Sequence, residues 1–119
     1  MDIQRFQEQI SETVIDPMIS YMEECGDDCR YTKADVDQCE LLLTNYLNAL
    51  DRLTEPSNDE IMELVKELVL ALNDLNEECD YELIETDSRE AIWEVIQTGA
   101  IECGLETDED DITEEWREW

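Results

Sequence analysis

The side chains of this 119-residue chain that could bind a metal or take part in catalysis are mainly carboxylates. The chain has 35 Asp and Glu residues and no His. Magnesium sites are built from carboxylates, and on helical bundles pairs of the form Glu-x-x-Glu face inward from two helices. Glu60 with Glu63 and Glu82 with Glu85 have this spacing. These pairs suggest an alternative function. In it the protein is a divalent-metal-dependent nucleotide phosphohydrolase whose helix-borne carboxylates hold the metal.

The acidic side chains of the third predicted helix form a ridge beside its apolar stripe. At about 100° per residue, five of them fall within about 60° of one another. A metal cage would need carboxylates inside the stripe, and the stripe has none. The spacing therefore predicts a surface feature, called the acidic ridge below, which consists of Glu60, Glu63, Glu67, Asp74 and Glu78.

The C-terminal acids do not fit a calcium loop. Asp108 to Asp111 together with Glu114 have part of the composition, but an EF-hand needs Gly at its sixth position and Glu at its twelfth. Counted from Asp108, those positions hold Thr113 and Trp119. We expect a solvated acidic segment, and no metal or other cofactor.

The cysteines offer little for catalysis. No His is present to act as a base, and a negative field raises thiol pKa values rather than lowering them. Cys25 and Cys29 lack the second pair of ligands that a zinc site requires. Cys39 and Cys103 fall on apolar helix positions, where a thiol acts as a small hydrophobic group. We therefore expect the protein not to be an enzyme.

The net charge of −28 limits the class of partner. Nucleic acid and anionic membranes are disfavoured, while a basic protein surface is favoured. Residues 54–105 hold 15 acids and 2 bases, and residues 106–119 hold 8 acids and 1 base, so the field is strongest there. A charge that serves only solubility is the plainer alternative, but self-repulsion of a whole domain costs stability. Dissolved ions screen the repulsion between exposed carboxylates, so the fold should become more stable as the salt concentration rises.

Apolar residues at helical spacing predict four main helices. Pro17 lies inside the first run, which predicts either a new helix capped by Asp16 or one bent helix. Thr32 with Asp35 opens the second helix. The third helix is apolar over so wide an arc that we expect it to be central.

Polar residues mark where the later helices begin and end. Ser57 with Glu60 forms a capping box at the start of the third helix, and Asp87 with Glu90 is a second such pair for the fourth. The apolar periodicity lapses after Leu75, which predicts a loop that begins at Asn76. Gly104 fits the left-handed residue that ends a helix.

The predicted fold is all-α: a single-domain antiparallel bundle of four main helices at residues 1–105, followed by a short acidic, Trp-containing C-terminal extension at residues 106–119. Ile112, Trp116 and Trp119 in the extension predict one or two helical turns docked on the bundle. Because Trp is enriched at interface hot spots, Trp116 and Trp119 are alternatively anchors for a partner.

The sequence predicts a cytoplasmic protein. No stretch approaches the roughly 20 apolar residues of a membrane span. The N-terminal residues lack the basic and then apolar pattern of a secretory signal. An odd number of cysteines in a helical chain indicates reduced thiols.

Two stretches, Leu72–Glu77 continuing through Leu83–Glu90 and Asp111–Trp119, resemble small acidic bacterial proteins that confer immunity to polymorphic or contact-dependent toxins. The resemblance covers the C-terminal third and includes no catalytic motif. It implies a cytoplasmic inhibitor that neutralises a basic partner.

The leading hypothesis is thus a non-enzymatic acidic protein that binds a basic partner, either a nuclease toxin or a nucleic-acid-binding protein. DNA mimicry would need more than the acidic ridge, since about 27 Å of helix holds five carboxylates where a DNA strand presents about eight phosphates. The predicted partner-binding residues are the acidic ridge together with Asp110, Asp111, Glu114, Glu115, Trp116 and Trp119.

Overall fold

The computed structural model describes residues 1–119 and confirms the all-α bundle, with 71% of the chain in helices and no strands. Four helices are joined by connections of five to seven residues. They are α1 (residues 3–25), α2 (Lys33–Arg52), α3 (Asn58–Glu78) and α4 (Thr86–Cys103). The connections correspond to the Gly- and Pro-containing or highly polar stretches of the sequence.

Helix α1 is one continuous helix with a wider π-helical turn before its proline. Regular helix runs over Ile3–Ile10 and Asp16–Cys25, and the segment Ser11–Ile15 between them is π-helical. Pro17 lacks an N–H and its ring crowds the preceding turn, so a widened turn relieves the conflict. Asp16 has helical backbone angles and donates its N–H to the Ser11 carbonyl, so it does not cap a new helix.

The predicted caps of α2 and α3 are present. The backbone N–H of Thr32 donates to Asp35 Oδ2 at 2.9 Å, which completes the capping box of α2. Ser57 Oγ accepts the backbone N–H of Glu60 at 3.2 Å at the start of α3. Both helices then bury one apolar face in a single core.

The predicted start of α4 was wrong by two residues. The N-cap is Glu85, and its backbone N–H donates to Ser88 Oγ at 2.9 Å, so the helix begins at Thr86 and Asp87 lies in its first turn. The predicted stop is confirmed. Gly104 is left-handed with φ 117°, and Leu105 N–H reaches back to the Ala100 carbonyl at 3.0 Å.

Helices α2 and α4 run side by side in the same direction, as expected for alternate helices of an up-and-down bundle. Tyr46 donates its hydroxyl to the Ile96 carbonyl at 2.8 Å, and Cys103 Sγ lies 3.4 Å from the Leu50 carbonyl. Their approach is close at Gly99, where a Cβ would lie 3.0 Å from Leu47 Cδ2.

The expectation that α3 is the central helix was wrong. Helices α2 and α4 each contact all three other helices, whereas α3 packs mainly against those two. Part of its wide apolar arc instead borders the C-terminal extension, as described below. Helix α3 also extends through Glu78, so that Asn76, predicted to lie in a loop, is a buried helical residue. Its Oδ1 accepts the Ile84 N–H at 2.9 Å and fixes the loop that follows.

Candidate functional site

The acidic ridge lies on the solvent-facing side of α3. All five of its carboxylate residues are exposed, while the residues between them that point inward, such as Ile61, Val65 and Leu72, are completely buried. The separation follows from the helical period, which puts the ridge and the apolar stripe on different faces of one helix. The five side chains are therefore brought together as the sequence predicts.

The carboxylates of the ridge have no cationic partner within the chain. Ion pairs join only five of the 35 acidic side chains to a cation: Asp37, Asp51, Asp80, Glu82 and Asp111. None of these belongs to the ridge. Like charges at (i, i+3) and (i, i+4) spacing repel one another, so the ridge costs the helix some stability.

The C-terminal extension is attached to α3 by two asparagine side chains. Asn58 Nδ2 donates to the Glu106 carbonyl at 3.0 Å, and the Glu106 N–H donates back to Asn58 Oδ1 at 3.1 Å. Asn73 repeats this pattern four turns later, where it donates to the Trp116 carbonyl at 2.7 Å and accepts the Glu118 N–H at 3.0 Å. The extension therefore follows α3 in the same direction from near its start.

A short turn at residues 112–116 is the only helical feature of the extension, and Asp111 organises it. Asp111 Oδ1 accepts the Thr113 N–H at 2.9 Å, and its Oδ2 lies 3.0 Å from Arg117 Nη1. Thr113, in this turn, is fully buried. Asp111 is thus committed to contacts within the chain, unlike the exposed Asp110, Glu114 and Glu115.

The two C-terminal tryptophans pack against the bundle. Trp116 and Trp119 are half-buried against the core, and the Arg117 guanidinium lies 5.5 Å from the centre of the Trp119 ring. Ile112, at 2% exposure, is the deepest apolar contact of the extension. These contacts support the reading in which the tryptophans dock the extension, and they leave only part of each ring open to another molecule.

The ridge and the extension lie on opposite flanks of α3. At 100° per residue, the two latching asparagines are separated from the centre of the ridge by roughly 150° around the helix. The exposed arc between them includes Lys66 and Leu70. The predicted site residues thus fall into two groups on either side of one solvent-facing arc rather than into a single patch.

Sequence reasoning missed the amide side chains that position the extension. Asn58, Asn73 and Gln97 all contact its backbone, the last through a 3.3 Å bond from the Ile112 N–H. The sequence signal for this contact was the position of Asn73 at the edge of the apolar stripe of α3. In the structure Asn73 is only 6% exposed. Asn is a poor residue for a helix interior, so one that borders an apolar arc indicates a backbone partner beyond the helix.

Four of the five thiols have raised pKa values. Burial, foremost, raises the pKa values of Cys39 and Cys79 to about 12 from a reference value of 9.0. Burial likewise raises the pKa values of Cys25 and Cys103. Thiolate is the nucleophilic form, so these cysteines are not activated for attack. All five cysteines are free thiols.

No group of three or more Asp, Glu or Cys side chains lies close enough together to hold a metal ion. Glu60 and Glu63 stand on the open ridge, and Glu85 caps α4.

No helix combines the length and the apolar character that crossing a bilayer requires. Comparison with models of known families, with curated proteins and with solved structures finds no match for this chain.

Proposed function

We propose that this protein is a non-enzymatic binding protein that occupies a basic surface of another protein, with the acidic ridge as its principal contact. The observation that carries this proposal is that the ridge is fully exposed and has no cation of its own. A row of unpaired carboxylates on one helix face lowers its own repulsion when it meets a cationic surface.

Long-range attraction would act mainly on the association rate. Electrostatically steered encounters reach on the order of 10⁸–10⁹ M⁻¹s⁻¹ at low salt. Contacts of shorter range must then slow dissociation. Leu70, which is 42% exposed between Glu67 and Asp74, is placed for this role beside the ridge. The open parts of Trp116 and Trp119 offer a second apolar contact across the exposed arc of α3.

A nuclease toxin or another nucleic-acid-binding protein is the partner class that we favour, because such proteins have cationic surfaces shaped for phosphate. The ridge alone is too sparse to copy a DNA strand, so mimicry would need Asp110, Glu114 and Glu115 of the extension as a second, separate set of charges on the other flank of α3. The resemblance of the C-terminal third to toxin-immunity proteins suggests an inhibitor. We place this role in the cytoplasm, where the five free thiols would stay reduced.

Affinity capture with matched variants tests the proposal. The wild-type protein, a ridge variant (Glu60→Gln, Glu63→Gln, Glu67→Gln) and a control variant with the same change of charge are immobilised and exposed to a lysate of the source cells. The control changes three exposed carboxylates of α1: Glu8→Gln, Glu12→Gln and Glu23→Gln.

We expect the wild type and the control to retain a basic protein that elutes with moderate salt, and the ridge variant to lose it. If all three proteins retain the same partner equally, the ridge is not the contact surface. If the wild type retains no protein that salt elutes, the binding function itself is wrong.

A further inference from the structure

A cleft of about 540 Å³ opens between α1, Tyr31 and the segment that leads into α4. No residue of the extension lines it, and it contains three of the four tyrosines of the chain. Two of them, Tyr21 and Tyr81, belong to the small set of large apolar side chains that the fold leaves exposed, at 40% and 59%. Exposed aromatic residues in one concave site indicate a binding surface.

One wall of the cleft is a rigid pair of stacked rings. The centres of the Tyr21 and Tyr31 rings are 6.1 Å apart, and their planes differ by 16°. Tyr31 is buried, and its hydroxyl donates to the Met18 carbonyl at 3.0 Å, which fixes the inner ring. Tyr21 therefore presents its outer side to the cleft from a firm support.

Tyr81 also lines the cleft, and it stands on strained backbone. Asp80 and Tyr81 have φ values of 55° and 63°, and two consecutive non-glycine residues in this region are unfavourable. Asn76 maintains the conformation, since its carbonyl accepts the Tyr81 N–H at 2.8 Å. The strained backbone of Tyr81 lowers the stability of the fold, and its exposed ring does not contribute to the hydrophobic core.

The charge of the cleft is negative. Glu82, Glu85 and Asp87 contribute three carboxylates to the lining, against the single guanidinium of Arg89. Glu85 and Tyr21 line the same cleft, and the pKa of Tyr21 is raised chiefly by Cys25 and next by Glu85.

The rim already accommodates a guanidinium. The exposed side chain of Arg30 lies between two carboxylates, 3.8 Å from Asp80 and 3.8 Å from Glu82. Both residues flank Tyr81 in the sequence. A cationic planar group therefore fits the spacing of the carboxylates at this edge.

We infer that this cleft is a docking site for an arginine or lysine side chain on an exposed segment of a basic protein. A cation in the cleft gains attraction from the π faces of the aromatic residues that line it, and Glu85 and Asp87 neutralise its charge. The inference rests on the proposed function for the basic character of the partner. It assigns a second contact, on a different part of the surface from the ridge.

Titration with a capped Gly-Arg-Gly-Arg-Gly peptide, followed by NMR, tests the site without the cellular partner. The same peptide with citrulline in place of arginine has the same shape and no charge. We expect saturable shift changes centred on the cleft for the arginine peptide and none for the citrulline peptide. Changes spread evenly over the acidic surface would overturn the inference.

Two variants separate the aromatic contact from charge alone. Tyr81→Asn removes the ring with a residue that tolerates left-handed backbone, and Leu41→Asn is the control at a similarly exposed apolar position of α2, outside the cleft. We expect the first to weaken peptide binding about two- to five-fold and the second to leave it unchanged. Equal binding by wild type and Tyr81→Asn contradicts the inference, while loss of lysate capture only in the ridge variant still upholds the proposed function.

Discussion

The acidic ridge and the C-terminal extension are both dense in carboxylates, yet the fold uses them in opposite ways. In the extension, Asp111 is paired with Arg117 and the backbone is held by Asn58 and Asn73. Along the ridge, no carboxylate has a cation, and every one faces solvent. Acidity by itself therefore does not identify a working surface. The difference lies in Asp111 and in the backbone of the extension, which have partners within the chain, whereas the other seven acids of the extension are as exposed and as unpaired as the ridge.

The deepest contact of the extension gives the largest expected effect. Ile112→Ala removes a fully buried side chain and should lower the free energy of unfolding by about 2–4 kcal/mol. Ile101→Ala, at a position that is 50% exposed, is the matched control and should cost well under 1 kcal/mol. Urea denaturation measures both. Equal values would mean that the extension is not docked on the bundle.

The asparagine latch comes next. Asn73→Ala breaks two hydrogen bonds to the backbone of the extension and should cost about 1–3 kcal/mol. Tryptophan fluorescence should shift to the red in the same variant, because Trp116 and Trp119 become more exposed. Asn45→Ala, on the exposed face of α2, should change neither quantity. An unshifted emission spectrum for Asn73→Ala would refute the latch.

Removal of one negative charge should change the free energy of unfolding in opposite directions in the two regions. Asp111→Asn loses its ion pair with Arg117, in which both side chains are about four-fifths buried, and should destabilise the fold by about 1 kcal/mol. Glu67→Gln relieves repulsion from Glu63 one turn away and should stabilise it by a few tenths of a kcal/mol. The difference in unfolding free energy between the two variants checks this. The same sign for both would erase the distinction between the regions.

The smallest effect is the salt dependence of the stability of Glu67→Gln. The wild-type protein should become more stable between roughly 0.05 and 0.5 M sodium chloride, because salt screens exposed like charges. The small advantage of Glu67→Gln should vanish over the same range. Thermal melting at each salt concentration gives both trends. A melting temperature that does not change with salt would show that repulsion between exposed carboxylates does not lower the stability of the fold.

Periodicity and caps sufficed to predict the four helices and the exposed ridge, because both depend on neighbours within one or two turns. The start of α4 was misplaced because Glu85 and Ser88 supply a cap that Asp87 and Glu90 mimic in sequence. The placement of the extension was beyond local reasoning, since Asn73 meets Trp116 across 43 residues of chain.

The Tyr21–Tyr81 cleft was missed for a similar reason. No sequence pattern links two residues whose meeting depends on the path of the loop after α3. The left-handed conformation of Asp80 and Tyr81 also has no local signal, because neither residue is a glycine. Such features require the tertiary structure.

The association rate of the captured basic partner is the most direct measure of the central claim that the unpaired ridge binds a cationic surface. Stopped-flow mixing at low salt compares the wild type, the ridge variant Glu60→Gln/Glu63→Gln/Glu67→Gln and the control Glu8→Gln/Glu12→Gln/Glu23→Gln. We expect the ridge variant to associate about ten-fold more slowly and the control to remain within about two-fold of the wild type. Equal slowing by both variants, or by neither, would contradict the claim.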